Sequence, residues 1–326
     1  MVPKKNIQKR KLLTWQNGVR AVVLIAAAAL LVGERTFWTP DTLFVALLVI
    51  FAVFGQARPF LLRFAPLVIL LLAYEGFRSI VPHLNTNVHF WEMIRFDEWL
   101  GAGRLPTAWL QQHMWHGSLR WYDFYFYFLY TIHFLMPIAL GVLIWKKFGD
   151  RMYWQFMLAL LLLSYAAFIT YLLFPAAPPW MASELGYIEK IRRISSDIWW
   201  AMGIKDFSSF YANLSPNPVA AVPSLHSAYP TLFALFINRL YGLKKTWWVW
   251  AYPASLWLGV VYLGEHYVID VILGFLYAVL AYVAANAFFE WQRKRGWPLR
   301  AWWRRSVAAP IEKSYRKLIN RLNKHR

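Results

Sequence analysis

Long apolar runs separated by loops that are alternately basic and not basic constrain this chain more than any other feature. Eight apolar segments can be drawn, at about 18–32, 41–55, 61–81, 122–145, 153–174, 224–241, 247–263 and 267–289. A helix crosses the hydrocarbon core of a bilayer with roughly 20 residues, and 41–55 is short for that. The loop charges support it nonetheless. Lys4, Lys5, Lys9, Arg10, Lys11 and Arg20 mark the first cytoplasmic stretch. Arg58 and Arg63, then Lys146, Lys147 and Arg151, then Arg239, Lys244 and Lys245 mark the next three, and the stretch 293–326 is densely basic as well. Short cytoplasmic loops are the ones enriched in Lys and Arg. Every other loop is basic, as an even number of spans requires. Removing 41–55 would break the alternation. The pattern predicts an all-α polytopic membrane protein of about eight transmembrane helices, with both termini cytoplasmic.

Composition agrees. The chain is 59% hydrophobic over 326 residues, too apolar for a soluble globular protein of this length. Its net charge of +19 suits an anionic lipid surface, and no nucleic-acid fold presents the basic residues. There is no cysteine, which excludes disulfides and thiolate metal sites. No small-residue cleavage site closely follows the first apolar run, so the basic N-terminus reads as an uncleaved anchor.

Two long connections lie on the opposite, non-cytoplasmic face. The one at about 82–121 holds amphipathic aromatic pieces, Trp91-Glu92-Met93-Ile94-Arg95-Phe96 and Pro106-Thr107-Ala108-Trp109-Leu110. These predict interfacial helices with Trp at headgroup level. The other, at 175–222, opens with Pro175-Ala176-Ala177-Pro178-Pro179-Trp180, whose prolines exclude regular helix. Three regions follow: 1–57, a basic segment with two peripheral spans; 58–290, a catalytic membrane domain; and 291–326, a basic tail. In the tail Ile311, Tyr315, Leu318, Ile319 and Leu322 fall on one helical face. Two readings stand for it, a helix lying on anionic lipid and a solvated basic tail.

Chemistry concentrates in two places. His266 and Asp270 are four residues apart at the start of the eighth span, so a helix puts both on one face. A carboxylate there can fix the tautomer of the imidazole and raise its basicity. By itself the pair is as compatible with a structural role. An ionisable residue one turn inside an apolar span nevertheless points to function. Ser224 and His226 stand at the N-terminal end of the sixth span, where free backbone N–H groups and the helix dipole favour a phosphate oxygen. The alternative is an ordinary serine cap with an interfacial histidine. The sixth span runs inward, the seventh returns and the eighth starts inward again, so both clusters reach the same face. Two histidines and a carboxylate at headgroup level suggest acid–base or nucleophilic work on a phosphoester. His133, about three turns into the fourth span, is either a satisfied buried histidine or part of the substrate cavity.

Pro223-Ser224-Leu225-His226 and Tyr262-Leu263-Gly264-Glu265-His266-Tyr267-Val268-Ile269-Asp270 resemble the second and third signatures of the type 2 phosphatidic acid phosphatase (PAP2) superfamily. Phe174-Pro175-Ala176-Ala177-Pro178-Pro179-Trp180 is similar to the proline-rich segment of its inositol phosphorylceramide synthase-like branch. Phe96-Asp97-Glu98-Trp99-Leu100-Gly101, followed by Leu105-Pro106-Thr107, is similar to the external motif that precedes that segment. The likeness spans the third to the eighth segments and implies a six-helix core with added interfacial helices. It implies that His266 is the nucleophile, forming a phosphohistidine, that Asp270 orients it, and that His226 is the acid and then the base. Ser224 would help bind phosphate. No metal or other cofactor is implied.

Typical members carry Ser-Arg shortly before the third-signature histidine, whereas Gly259 and Val260 stand here. The first signature is absent too. Arg78, Arg95, Lys190, Arg192 and Arg193 are the candidates on the same face to replace that charge, with surface contact to headgroups as the alternative for each. The resemblance implies transfer of a phospho-headgroup from a membrane lipid to an alcohol. With water as acceptor the same intermediate makes a lipid phosphatase. A non-enzymatic lipid binder or transporter is the competing class.

Overall fold

The computed structural model describes residues 40–133, 135–203, 217–295 and Ala309, with side chains described in these except at 40–44 and 70–83. The first apolar segment and the amphipathic face of the tail lie outside the described residues. Regular structure is helical throughout; no strand occurs among the described residues, and the extended pieces pair only as isolated bridges.

Helices α1 (Pro40–Val53) and α2 (Ala57–Leu84) form a hairpin at Gly55, whose φ of 69° is one that a side chain disfavours. Phe51 stacks on Phe60, and Phe60 on Phe64. Helices α3 (Trp91–Leu100) and α4 (Pro106–Met114) match the two expected interfacial pieces. They bury Met93, Ile94, Thr107 and Ala108 and expose Trp91, Trp99 and Trp109, the division expected of helices lying in an interface.

The expected fourth span, 122–145, is broken. Helix α5 (Trp121–Ile132) stops before His133, and α6 (Met136–Leu173) restarts with Pro137 in its first turn. Proline is at home there and disruptive inside a helix, because it lacks an N–H and crowds the preceding turn. The fourth and fifth segments meet inside α6 at Gly149 (φ 81°, ψ 179°), where the chain reverses. A Cβ on Gly141 would lie 2.9 Å from the Met157 methyl, so the two arms pack side by side. Arg63 ties α2 to the bend through Asp150, at 2.8 and 3.1 Å.

The remaining helices are α7 (Pro179–Glu184), α8 (Ile194–Ala201), α9 (Leu225–Tyr241), α10 (Leu243–Thr246), α11 (Ala251–Tyr262, entered through a 3-10 turn at Trp247–Trp250) and α12 (Val268–Lys294). By length and composition, α6 and α12 are the described helices able to cross a membrane on their own. They pack with α9 in one core through buried Ala159, Ala228, Ala234, Ala278, Ala281 and Ala285. Small residues suit such contacts, because lipid supplies no hydrophobic drive and close packing must do the work.

The closest approach is at Gly274, where a Cβ would lie 2.0 Å from Ser227 Oγ and 2.3 Å from the Ser224 carbonyl oxygen. Two bonds cross there. Ser224 N donates to the Asp270 carbonyl (3.0 Å) and Ser227 Oγ to the Val271 carbonyl (3.1 Å). At the other end of the same helices Arg151 pairs with Glu290, and Arg239 bonds Asn286.

A cap of short helices and extended chain covers the histidine end. The proline-rich stretch is extended only through Pro178; Pro179 and Trp180 open α7, because proline is at home in a first helical turn. Ala176 N donates to the Val219 carbonyl (2.8 Å), Ala177 N to His89 (3.0 Å), and Ala221 N to Ala176 (3.2 Å). Buried Gln111 ties α4 to this cap. Its amide donates to the carbonyls of Arg192 (2.7 Å) and Tyr262 (2.9 Å), and its oxygen accepts from Arg192 N (2.8 Å).

Candidate active site

Ser224 caps α9. Its hydroxyl accepts from Ser227 N (3.3 Å) and its side chain is fully buried. Pro223 precedes the cap, and its carbonyl accepts from the Tyr171 hydroxyl (2.8 Å). This start places His226 in the first turn of α9, facing the start of α12. The His226 ring stacks on Tyr130 (centroids 4.1 Å apart) and lies against His133 (4.3 Å). His133 is thus drawn to the site by the break between α5 and α6, with its Nδ1 at the Tyr130 carbonyl.

His266 occupies the turn between α11 and α12. Gly264 makes that turn at φ 80°, and the His266 amide donates to the Val260 carbonyl at 3.2 Å. Its Nδ1 lies 3.2 Å from Asp270 Oδ2, and its Nε2 lies 3.0 Å from His226 Nδ1. Asp270 Oδ2 also accepts from Tyr267 N at 2.9 Å. A carboxylate can only accept, so the His266 proton belongs on Nδ1 and its Nε2 carries a lone pair. The 3.0 Å contact then requires His226 Nδ1 to be the donor. The order Asp270, His266, His226 therefore joins an orienting carboxylate, a ring nitrogen whose lone pair faces His226, and a proton carrier.

Two carboxyl groups border this line. Glu265 accepts from Arg193 Nε (2.9 Å) and Nη2 (3.3 Å) and from the Ser195 hydroxyl. Burial raises the Glu265 carboxyl, but the Arg193 charge and these bonds outweigh it and hold it below the usual range. Arg193 also lies over the Trp180 ring at 4.0 Å. Asp97 is fully buried and accepts from Val268 N (2.8 Å) and Ile269 N (3.1 Å), the first two amides of α12. Burial pushes its carboxyl up to about 7, and the Asp270 charge adds to that against the two amide bonds.

The candidate cations divide. Arg193 stands beside the site through Glu265. Arg192 points outward, bonded to Asp197 at 2.5 and 2.8 Å and lying over Trp115. Arg95 lies exposed near Trp91, and Lys190 is exposed. Arg78 sits on α2, with its side chain outside the described residues. At the position of the missing arginine, Val260 is fully buried against Leu129, Leu256 and Val271, while a Cβ on Gly259 would meet Phe126 at 2.8 Å. The segment is an apolar wall with no room for a guanidinium. Sequence reasoning passed over Glu265, Asp97, Tyr130 and Gln111 as site neighbours. Glu265 and Asp97 both lie within motif stretches already quoted, which is the signal that could have found them.

Phosphoinositol dihydroceramide synthase of Bacteroides thetaiotaomicron is 32% identical over 166 residues, covering 48% of this chain and 52% of that protein. Inositol phosphorylceramide synthase catalytic subunit AUR1 of Saccharomyces cerevisiae is 32% identical over 123 residues, 34% of this chain and 28% of its own. Inositol phosphorylceramide synthase of Candida albicans is 28% identical over 159 residues, 44% of this chain and 31% of its own. The chain thus spans about half or less of the length of these curated relatives. No solved structure matches. Residues 91–284, which run from α3 through the cap and both histidine turns into α12, match the PAP2 superfamily, and the chain belongs to that family.

Proposed function

We propose that this protein is an integral membrane phosphotransferase that moves a phospho-headgroup from a donor phospholipid to the hydroxyl of a second lipid, the kind of reaction for which its relatives are named. The Asp270–His266–His226 line carries this reading. In the first step His266 Nε2 attacks phosphorus while the bond from phosphorus to the lipid oxygen breaks. His226 gives that oxygen its proton. The headgroup stays on His266 as a phosphoramidate, and Asp270 stabilises the positive ring. In the second step the acceptor hydroxyl gives its proton to His226 and attacks phosphorus, and the P–N bond breaks. Water in place of the acceptor yields hydrolysis through the same intermediate.

For the phosphate charge we assign Arg193, held one residue from His266 by Glu265 and by the Trp180 face. Arg192 and Arg78 take a second rank. Ser224 contributes its helix start, whose free backbone N–H groups favour a phosphate oxygen. His133 backs the His226 ring and borders the substrate cavity.

The membrane arrangement is eight spans around a six-helix core, with 1–57, 58–290 and 291–326 as the three regions. Its support is the separation of the ends. The histidines lie at the N-terminal ends of α9 and α12, while Arg239 and Glu290 lie near the C-terminal ends. Those 20-odd residues of α12 correspond to roughly 30 Å of helix, about the thickness of the hydrocarbon core. The Lys/Arg-rich ends face the cytoplasm, the active site faces the other side, and the tail rests on anionic lipid.

Purified protein in bilayers, supplied with headgroup-labelled phospholipid and a lipid alcohol, tests the reading. Transfer should be lost in both His266→Ala and His226→Ala, and a trapped labelled histidine should vanish only in the first. Full transfer by either variant refutes the mechanism. Release of the free phospho-headgroup alone, with alcohol present, turns the assignment to hydrolysis.

A further inference from the structure

We infer that Asp97 is a positioning residue for the His266–Asp270 pair: it takes the first amides of α12 so that Asp270 remains available to the histidine. The need comes from the local sequence. A helix start leaves its first N–H groups without partners, and Ser, Thr, Asp or Asn at the cap satisfies them. The cap of α12 is Tyr267, which makes no side-chain cap bond. The nearest acidic side chain within the helix is Asp270 in its first turn. A carboxylate there is drawn to the free amides and to the positive end of the helix dipole. Asp270 already holds the cap's own N–H on the oxygen that meets His266, and each further amide it took would turn the carboxylate away from the histidine.

Asp97 removes that competition from 171 residues away, with Oδ2 on Val268 N and Oδ1 on Ile269 N. Asp270 is left with Tyr267 N and His266 Nδ1, both on Oδ2. Its Oδ1 has no bonding partner among the described residues, so the carboxylate has spare acceptor capacity that a freed amide would engage. Asp97 is itself held firmly. Met93 and Ile94 on its helix are buried in one cluster with Leu105 and with Tyr267, the cap residue of α12. Among the described residues no cation pairs with this buried carboxyl, and such burial is costly unless hydrogen bonds compensate. The inference extends the run Phe96-Asp97-Glu98-Trp99, which the transfer mechanism leaves without a task. It rests on the proposed mechanism for its kinetic consequence and stands apart from it in its structural one.

The test compares Asp97→Ala and Asp97→Asn with wild type in bilayers, alongside His266→Ala. Misplacement near 1 Å costs on the order of 10²-fold in rate. Asp97→Ala should lose that much kcat at unchanged KM, and Asp97→Asn, which keeps one acceptor oxygen, should recover part of it. With 15N-labelled histidine, the His266 Nδ1-H signal should weaken in Asp97→Ala, and the Val268 and Ile269 amides should exchange faster with solvent. Should the alanine variant not fold, the asparagine variant decides by the same readouts. Wild-type kcat together with an unaltered His266 signal in the folded variant overturns the inference. If His266→Ala proves active, the transfer mechanism fails, and the nitrogen signal and amide exchange still decide for or against Asp97.

Discussion

Gly274→Ala tests whether the distance between α9 and α12 sets the chemistry. The added Cβ would lie 2.0 Å from Ser227 Oγ and 2.3 Å from the Ser224 carbonyl oxygen. The hydroxyl can turn away, but the carbonyl belongs to the backbone that caps α9. Restoring ordinary contact at 3.4 Å requires a separation of 3.4 − 2.3 = 1.1 Å. Applied along the line between the rings, that opens the 3.0 Å His226–His266 contact to 3.0 + 1.1 = 4.1 Å, beyond hydrogen-bond reach. The Ser224-to-Asp270 backbone bond opens with it. A displacement of this size costs on the order of 10²-fold in turnover, and overpacking costs about 1–3 kcal/mol of stability. Headgroup transfer in bilayers and thermal unfolding in detergent read the two effects. The double variant Gly274→Ala/Ser227→Ala should remain impaired, because the Ser224 carbonyl is still in the way. Wild-type turnover with an unchanged melting temperature in Gly274→Ala would refute the reasoning.

Two further predictions concern the charges beside the site. Arg193→Ala should abolish transfer and, by leaving Glu265 buried without its cation, cost about 3–5 kcal/mol in thermal stability. Glu265→Gln in the same chain should return stability without activity, and Arg193→Lys should not restore transfer, because lysine lacks the paired donors and the flat face that meets Trp180. The pH dependence has opposite signs at the two carboxyls. Glu265 is lowered from 4.5, so its stabilisation is present above 4.5 and is lost as pH falls through its lower folded value. Asp97 is raised from 3.8 to about 7, so its contribution is present below 3.8 and is lost as pH rises through about 7. Melting temperature against pH should lose its acid limb in Glu265→Gln and its fall toward neutrality in Asp97→Asn; identical curves in all three proteins would contradict both assignments.

Much of this arrangement is legible in the sequence because it is local. The spacing of His266 and Asp270 brings them together, but not on one helical face: His266 lies in the turn before the extended cap Tyr267, and the 3.2 Å contact comes from the way that turn enters α12. The prolines of 175–178 keep the chain extended up to the start of α7, and the Trp-bearing pieces of α3 and α4 form the two short helices that their pattern suggests. Apolar run lengths locate the described helices α9, α11 and α12 closely. They do not reveal that the fourth run is cut at His133, because a break costs hydropathy nothing, and only the proline two residues into α6 marks it.

What the tertiary structure decided depends on contacts between distant segments, which no periodicity encodes. His226 meets His266 because α9 and α12 touch at a glycine. Arg193, one of several basic residues indistinguishable by charge, is set apart from Arg192 because Glu265 and Trp180 hold it beside the histidine, while its neighbour turns outward to Asp197. The wall at Val260 closes the position where an arginine was sought. Asp97 reaches the amides of α12 across 171 positions of chain. Hydrophobic pattern determines which segments become helices and how they lie in a membrane, because burial depends only on area removed from water. The site depends on hydrogen bonds whose strength falls away within an ångström, and only the packed chain fixes distances that finely.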